Sequence, residues 1–138
     1  MAEFDYHTAF SRNVGWLIPD EQELLRTKRV AIAGLGGVGG SHLLTLIRLG
    51  ISRFHISDLD VFEEANFNRQ AGAMMSTLDQ PKAEVLKQMA LDIKENLLID
   101  NIGPRCPFCI NLSQNFETEG STHLMQFVHT SNEIGTLQ

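Results

Sequence analysis

Apolar residues change their spacing along the chain in a way that separates the elements. Arg29-Val-Ala-Ile-Ala33 is a short run of small and β-branched residues that stops at Gly34, the pattern of a strand buried in a parallel sheet. From Ser41 the period becomes helical, with Leu43, Leu44, Leu46, Ile47 and Leu49 on one side and Gly50 as a natural stop. Ile51 to Leu59, with Ile51, Phe54 and Ile56 apolar, reads as a second strand. Strand, helix and strand in this order make a βαβ unit with a right-handed crossover. Pro81 opens a further helix to about Ile93, whose apolar face is Val85, Leu86, Met89 and Leu91 to Ile93, and Leu97 to Ile99 gives a short third strand. Before the first strand, residues 5 to 14 suit a short helix. Pro19 or Asp20 starts another through Leu24, Leu25 and Thr27, with acidic residues in its first turn.

The fold class expected is therefore α/β, a Rossmann-like parallel sheet with helices on its faces that stops after about three strands. Residues 1–27 form an N-terminal helical segment and 28–103 the nucleotide-binding βαβ region. Residues 104–138 form a divergent tail, polar and only sparsely apolar, either a small zinc knot or disordered.

Composition narrows the function classes. A chain of 138 residues fits one domain. Its net charge of −6 speaks against coating a nucleic acid, which needs clustered Lys and Arg. No apolar run reaches the roughly 18 residues of a membrane span, and the N-terminus lacks the apolar core of a secretory signal. Two cysteines without an export signal point to a reducing, cytoplasmic setting. No nucleic-acid or membrane partner is expected.

The chemistry is concentrated after the first strand. Gly34-x-Gly36-x-x-Gly39 lies between a strand and a helix. There the first Gly permits a tight turn, the second lets backbone approach a phosphate, and the third lets helix and strand pack. Free amides and the positive end of the helix dipole favour an anion. Asp58 stands 19 residues beyond Gly39, where a carboxylate can accept hydrogen bonds from a ribose; Asp60 is a weaker candidate beside it. These features do not separate ATP from NAD. Asn66-Phe-Asn-Arg69-Gln70 and Pro81-Lys82 do. Adenylyl transfer builds charge on the α-phosphate and on departing pyrophosphate, and fixed cations stabilise it. Arg69 offers a planar fork for phosphate oxygens and Lys82 a point charge. His42 and His55 are read as structural.

Residues from about 10 to 93 resemble the ThiF/MoeB/E1 family of adenylyltransferases, which activate the C-terminus of ubiquitin-like or sulfur-carrier proteins. The resemblance rests on Phe10-Ser-Arg-Asn13, Arg29 to Gly39 (with Gly37), Ser57-Asp-Leu-Asp60, Asn66 to Gln70 and Gln80-Pro-Lys82. It implies ATP and Mg2+ as cofactors and a carrier protein as partner. Gly34, Gly36, Gly37 and Gly39 would form the phosphate turn and Asp58 would hold the ribose. Asn66, Arg69 and Gln70 would line the phosphates, with Arg69 on the β- and γ-groups and Lys82 on the α-phosphate. Arg12 matches an arginine that reaches across a dimer into the partner's site, which implies a homodimer or a pseudo-symmetric heterodimer.

After Ile93 the chain leaves that pattern, and the family's metal-binding Asp has no counterpart that aligns. Cys106, Cys109, His123 and His129 instead read C-x2-C-x13-H-x5-H, a spacing that can close a structural zinc tetrahedron. Three functions follow: an ATP-dependent adenylating enzyme, in which this chain need not be complete; an NAD-dependent oxidoreductase domain; or a non-catalytic module that keeps the nucleotide fold as a binding surface.

Overall fold

The computed structural model describes residues 3–103 and the backbone of residues 128–131. A sheet ordered β3-β2-β1-β4 forms its centre. Strands β1 (Arg29–Ala33), β2 (Arg53–Ser57) and β3 (Leu98–Asn101) are parallel, with Val30 opposite Phe54 and Phe54 opposite Ile99. Strand β4 (Val128–Ser131) runs antiparallel on the free side of β1, with His129 in register with Ala31. The Rossmann-like reading of three parallel strands holds, and β4 is an addition to it.

Alternation along the strands sends Val30, Ile32, Phe54, Ile56 and Ile99 to one face. Leu43 and Ile47 of α3 (Gly37–Arg48) and Val85, Leu86 and Ala90 of α4 (Lys82–Ile93) complete that core. On the opposite face His55 bridges the strands, with Nε2 at 3.3 Å from Arg29 and Nδ1 at 3.4 Å from Asp100. His42 is exposed on α3. Neither His42 nor His55 is among the residues that line the cavity at the glycine turn.

Strand β3 runs to Asn101, two residues beyond the expected Ile99, and two further boundaries in the βαβ unit differ from the sequence reading. Helix α3 begins at Gly37, four residues before the apolar period becomes visible, because glycines carry no hydrophobic signal. Strand β2 is shorter than Ile51 to Leu59. Gly50 takes φ +110° to end α3, with its amide donating to Ile47 O and that of Ile51 to Leu46 O, so the chain enters β2 only at Arg53.

The N-terminal segment is packed onto this frame. The stretch expected as one helix divides into α1 (Tyr6–Ala9), N-capped by Asp5, and a single 3-10 turn at Ser11–Asn13. Helix α2 (Pro19–Thr27) starts at Pro19, and the Glu21 carboxylate accepts the Ile18 amide at 3.0 Å. The Tyr6 hydroxyl lies 3.1 Å from the carbonyls of both Gln22 and Gly50. The buried Lys94 ammonium, just past α4, sits 4.8 Å from the Tyr6 ring, 5.5 Å from Phe10 and 5.9 Å from Phe4, and reaches Ser52 Oγ. Cation–π attraction to three rings thus ties the start of the chain to the end of α4.

Candidate nucleotide site

The site forms where β1 and β2 end. Gly34 takes φ +85°, a conformation a side chain would strain, and its amide donates to Ser57 O at 2.8 Å. The chain then turns through Gly36 into α3, whose first residues Gly37 and Val38 line the opening. Asp58 closes the turn from the other strand. Its Oδ2 accepts the Leu35 amide at 2.6 Å and its Oδ1 accepts the Asp60 amide at 2.8 Å.

A second device delivers Lys82. Residues 60–62 pair with residues 79–82 as a small antiparallel ribbon. The Phe62 amide donates to Gln80 O at 3.0 Å, that of Asp79 to Phe62 O at 2.9 Å, and that of Lys82 to Asp60 O at 3.0 Å, around a bridge between Val61 and Pro81. Asp79 turns the chain at φ +62°. The ribbon places the first residue of α4 beside the end of β2. No local period in the sequence signals this ribbon, because its pairing is long-range.

These elements enclose a cavity of about 630 Å³, within the usual size of a small-molecule site. Its wall brings together Gly34, Gly36, Gly37, Asp58, Asp60, Asn66, Arg69, Gln70 and Lys82 from the expected residues, and adds Val38, Leu59, Val61 and Glu63. Gly39 is buried within α3 rather than on the wall. Arg12 is exposed in the 3-10 turn and is not on the wall either. Apolar Val38, Leu59 and Val61 gave no sequence signal beyond their exposure, which only the fold reveals.

Among the described residues, two buried polar groups on the wall are short of partners. Lys82 is 6% exposed, yet among the described residues its ammonium has one polar partner, Asp60 Oδ2 at 3.6 Å, with the Phe62 ring 5.9 Å away. Gln70 is equally buried, and its Oε1 lacks a hydrogen-bond partner. Asn66 uses Oδ1 to accept the Glu63 amide at 2.9 Å, which fixes the turn. Arg69 folds back, with Nη1 donating to Ala65 O at 2.8 Å and Asn68 Oδ1 at 3.0 Å. Its methylenes lie 3.4 Å from where a Cβ on Gly37 would stand. Buried polar groups without partners are costly. The Lys82 ammonium lies on an opening whose rim is a helix N-terminus, so an anionic ligand would supply the acceptors it lacks, whereas Gln70 Oε1 needs a donor.

Metal ligands are not assembled here: among the described residues no three His, Cys, Asp or Glu side chains could hold an ion. Cys106, Cys109 and His123 lie outside the described residues, and of His129 only its backbone place in β4 is described. No helix among the described residues is long and apolar enough to cross a membrane.

A largely parallel α/β sheet with a glycine turn after β1, an acidic residue after β2, and Arg69 and Lys82 on the cavity wall defines a domain of the Rossmann-like class. A model of the ThiF family matches residues 10–109, and the chain belongs to that family. The Bacillus subtilis tRNA threonylcarbamoyladenosine dehydratase is 38% identical over 84 residues, 61% of this chain and 33% of that protein. The Escherichia coli molybdopterin-synthase adenylyltransferase is 32% identical over 80 residues, 58% of this chain and 32% of that protein. The chain thus spans about a third of these curated relatives. Among solved structures, E. coli TcdA in complex with ATP superposes with a TM-score of 0.68 at 24% identity, over 73% of this chain and 42% of that one. That likeness shows the fold.

Proposed function

We propose that this domain binds ATP in the cavity and takes part in adenylyl transfer to a carboxylate, that of the C-terminus of a ubiquitin-like or sulfur-carrier protein. One observation carries the reading: a buried Lys82 ammonium with a single, long carboxylate partner faces the same opening as the glycine turn. The α-phosphate is the group such a point charge suits, and Arg69, with most of its donors uncommitted, suits the departing phosphates. Asp58 retains lone pairs for a ribose beside its two amide contacts. Gln70 and the Asn66 amide complete the phosphate shell. The carboxylate oxygen attacks the α-phosphorus, the bond to the bridging oxygen breaks, and pyrophosphate leaves with its electron pair. The protein contributes position and charge rather than a base. Magnesium would enter on the phosphates, where it neutralises charge.

Names of relatives support this reading: molybdopterin-synthase adenylyltransferase and ubiquitin-activating enzyme E1-like. Relatives named tRNA threonylcarbamoyladenosine dehydratase favour a second acceptor, a group carried on tRNA. The net charge of −6 weighs against RNA contact by this chain itself. An NAD-dependent role offers Lys82 and Arg69 only a bridging pyrophosphate, with no γ-phosphate and no departing group whose charge they would stabilise. Arg12 is proposed to act on the site of a second, symmetric or pseudo-symmetric subunit, consistent with its exposure away from its own cavity.

Thermal denaturation with Mg-ATP, ADP and NAD tests the reading. A ligand at about 100 times its Kd stabilises by roughly 2.7 kcal/mol. Mg-ATP is expected to raise the midpoint, NAD to leave it unchanged, and Lys82→Ala and Arg69→Ala each to erase the gain. A shift with NAD, or one that survives both substitutions, would overturn it.

A further inference from the structure

We infer that Asp60 is a positioning residue, which aims the Lys82 ammonium at the phosphate end of the cavity. The inference rests on the nucleotide reading above, and it assigns Asp60 a task other than the ribose contact its place beside Asp58 first suggests.

Lys82 is the first residue of α4, where the helix dipole disfavours a cation. Burial adds to that cost, since only 6% of the residue is exposed. Something must oppose both effects for the ammonium to stay on the wall. The Phe62 ring at 5.9 Å contributes weakly. The Asp60 carboxylate, at 3.6 Å, is the only acidic partner among the described residues. This gap exceeds a hydrogen bond, so it attracts the ammonium without using any of its three donors.

Asp60 is itself held. Its amide donates to Asp58 Oδ1 at 2.8 Å and its carbonyl accepts the Lys82 amide at 3.0 Å. One residue therefore fixes both the backbone and the side chain of Lys82. Through Asp58 and the Leu35 amide, the same connection reaches the glycine turn. Yet the Asp60 side chain is 70% exposed and has no other ion pair or hydrogen bond among the described residues, so its carboxylate carries little packing load. The arrangement sets the distance from the ammonium to the amides that would share its phosphate.

The two roles for Asp60 separate experimentally. A ribose acceptor matters to adenosine, whereas a residue that positions Lys82 matters to phosphate. Calorimetric titrations of the whole chain with adenosine, Mg-ATP and pyrophosphate, for wild type, Asp60→Asn, Asp60→Glu, Lys82→Ala and the Asp60→Asn/Lys82→Ala pair, read the difference. Melting midpoints report whether each variant is folded; Asp60→Asn preserves shape and both backbone contacts. Asp60→Asn is expected to weaken Mg-ATP and pyrophosphate about tenfold, the effect of a lost charge contact, and to leave adenosine unchanged. Asp60→Glu recovers most of the loss, and the double variant binds no more weakly than Lys82→Ala alone. Equal weakening of adenosine, unchanged or tighter Mg-ATP binding by Asp60→Asn, or additive losses in the pair would overturn the inference while leaving the nucleotide reading in place. Wild-type protein that binds neither nucleotide nor pyrophosphate would overturn both.

Discussion

The Asp58 carboxylate accepts the amide of fully buried Leu35 at 2.6 Å, which joins the end of β2 to the glycine turn after β1. The same side chain accepts the Asp60 amide. It is therefore a structural clasp as well as the ribose candidate. Asp58→Ala leaves two amides without their acceptor and is expected to cost about 2 to 3 kcal/mol. Asp58→Asn retains one acceptor and should lose about half of that. Chemical denaturation of the ligand-free protein measures both, and an unperturbed midpoint for Asp58→Ala would contradict the clasp.

Gly50 is held by conformation and by space. At φ +110° a side chain is strained, and a Cβ would stand 2.3 Å from Gln22 Nε2 and 2.5 Å from the Tyr6 hydroxyl. Gly50→Ala should therefore destabilise by about 2 kcal/mol or more. The loss should be accompanied by faster proteolysis before Pro19, because the displaced groups belong to α1 and α2. A substitution that melts like wild type would show that the Tyr6 cluster yields easily.

Two titrations shape stability in alkali. Desolvation, with help from the Arg26 charge, lowers the Lys94 pKa to about 8 from 10.5. Between those values the unfolded chain holds a proton that the folded one releases, so stability rises with pH. Burial, chiefly, raises the Tyr6 pKa above 10.0. There the folded chain retains the proton, and stability falls as pH climbs past 10. The melting midpoint should climb from about pH 8, then turn down beyond about 10. Lys94→Met should abolish the climb and keep the downturn. A midpoint that declines steadily from pH 8 in wild type would refute the assignment.

Trp16 is the single tryptophan of the chain and is 92% exposed, flanked by exposed Val14 and Ile18. In dilute solution its emission should be that of a water-exposed indole, and Trp16→Ser should change stability by less than about 0.5 kcal/mol. Arg12 precedes Trp16 by four residues in the chain. If two copies associate so that Arg12 reaches the opposite cavity, emission should shift to the blue as concentration rises, in step with sedimentation. A spectrum independent of concentration, with a larger sedimenting species, would place the interface elsewhere.

Much of the site was legible because its signals are local. The glycines, Asp58 and the stretch from Asn66 to Gln70 each announce themselves by spacing, and β1, α2 and α4 fall close to their expected places. What escaped notice depends on residues far apart in the chain. The ribbon joins Val61 to Pro81 across an irregular stretch. The rings around Lys94 come from Phe4, Tyr6 and Phe10, whose uneven spacing gives no period. The antiparallel β4 follows a polar stretch that reads as tail. Asp60 reads from sequence only as a weaker ribose candidate, because its partner, Lys82, lies at the start of another element.

The ribbon has a mechanical consequence. Lys82 begins the helix that sends Val85, Leu86 and Ala90 into the core, so a ligand that captures the ammonium also loads that helix at its N-terminal end. Occupancy of the cavity should then be felt along the whole length of α4, as slower amide hydrogen exchange well beyond the residues in contact with the ligand.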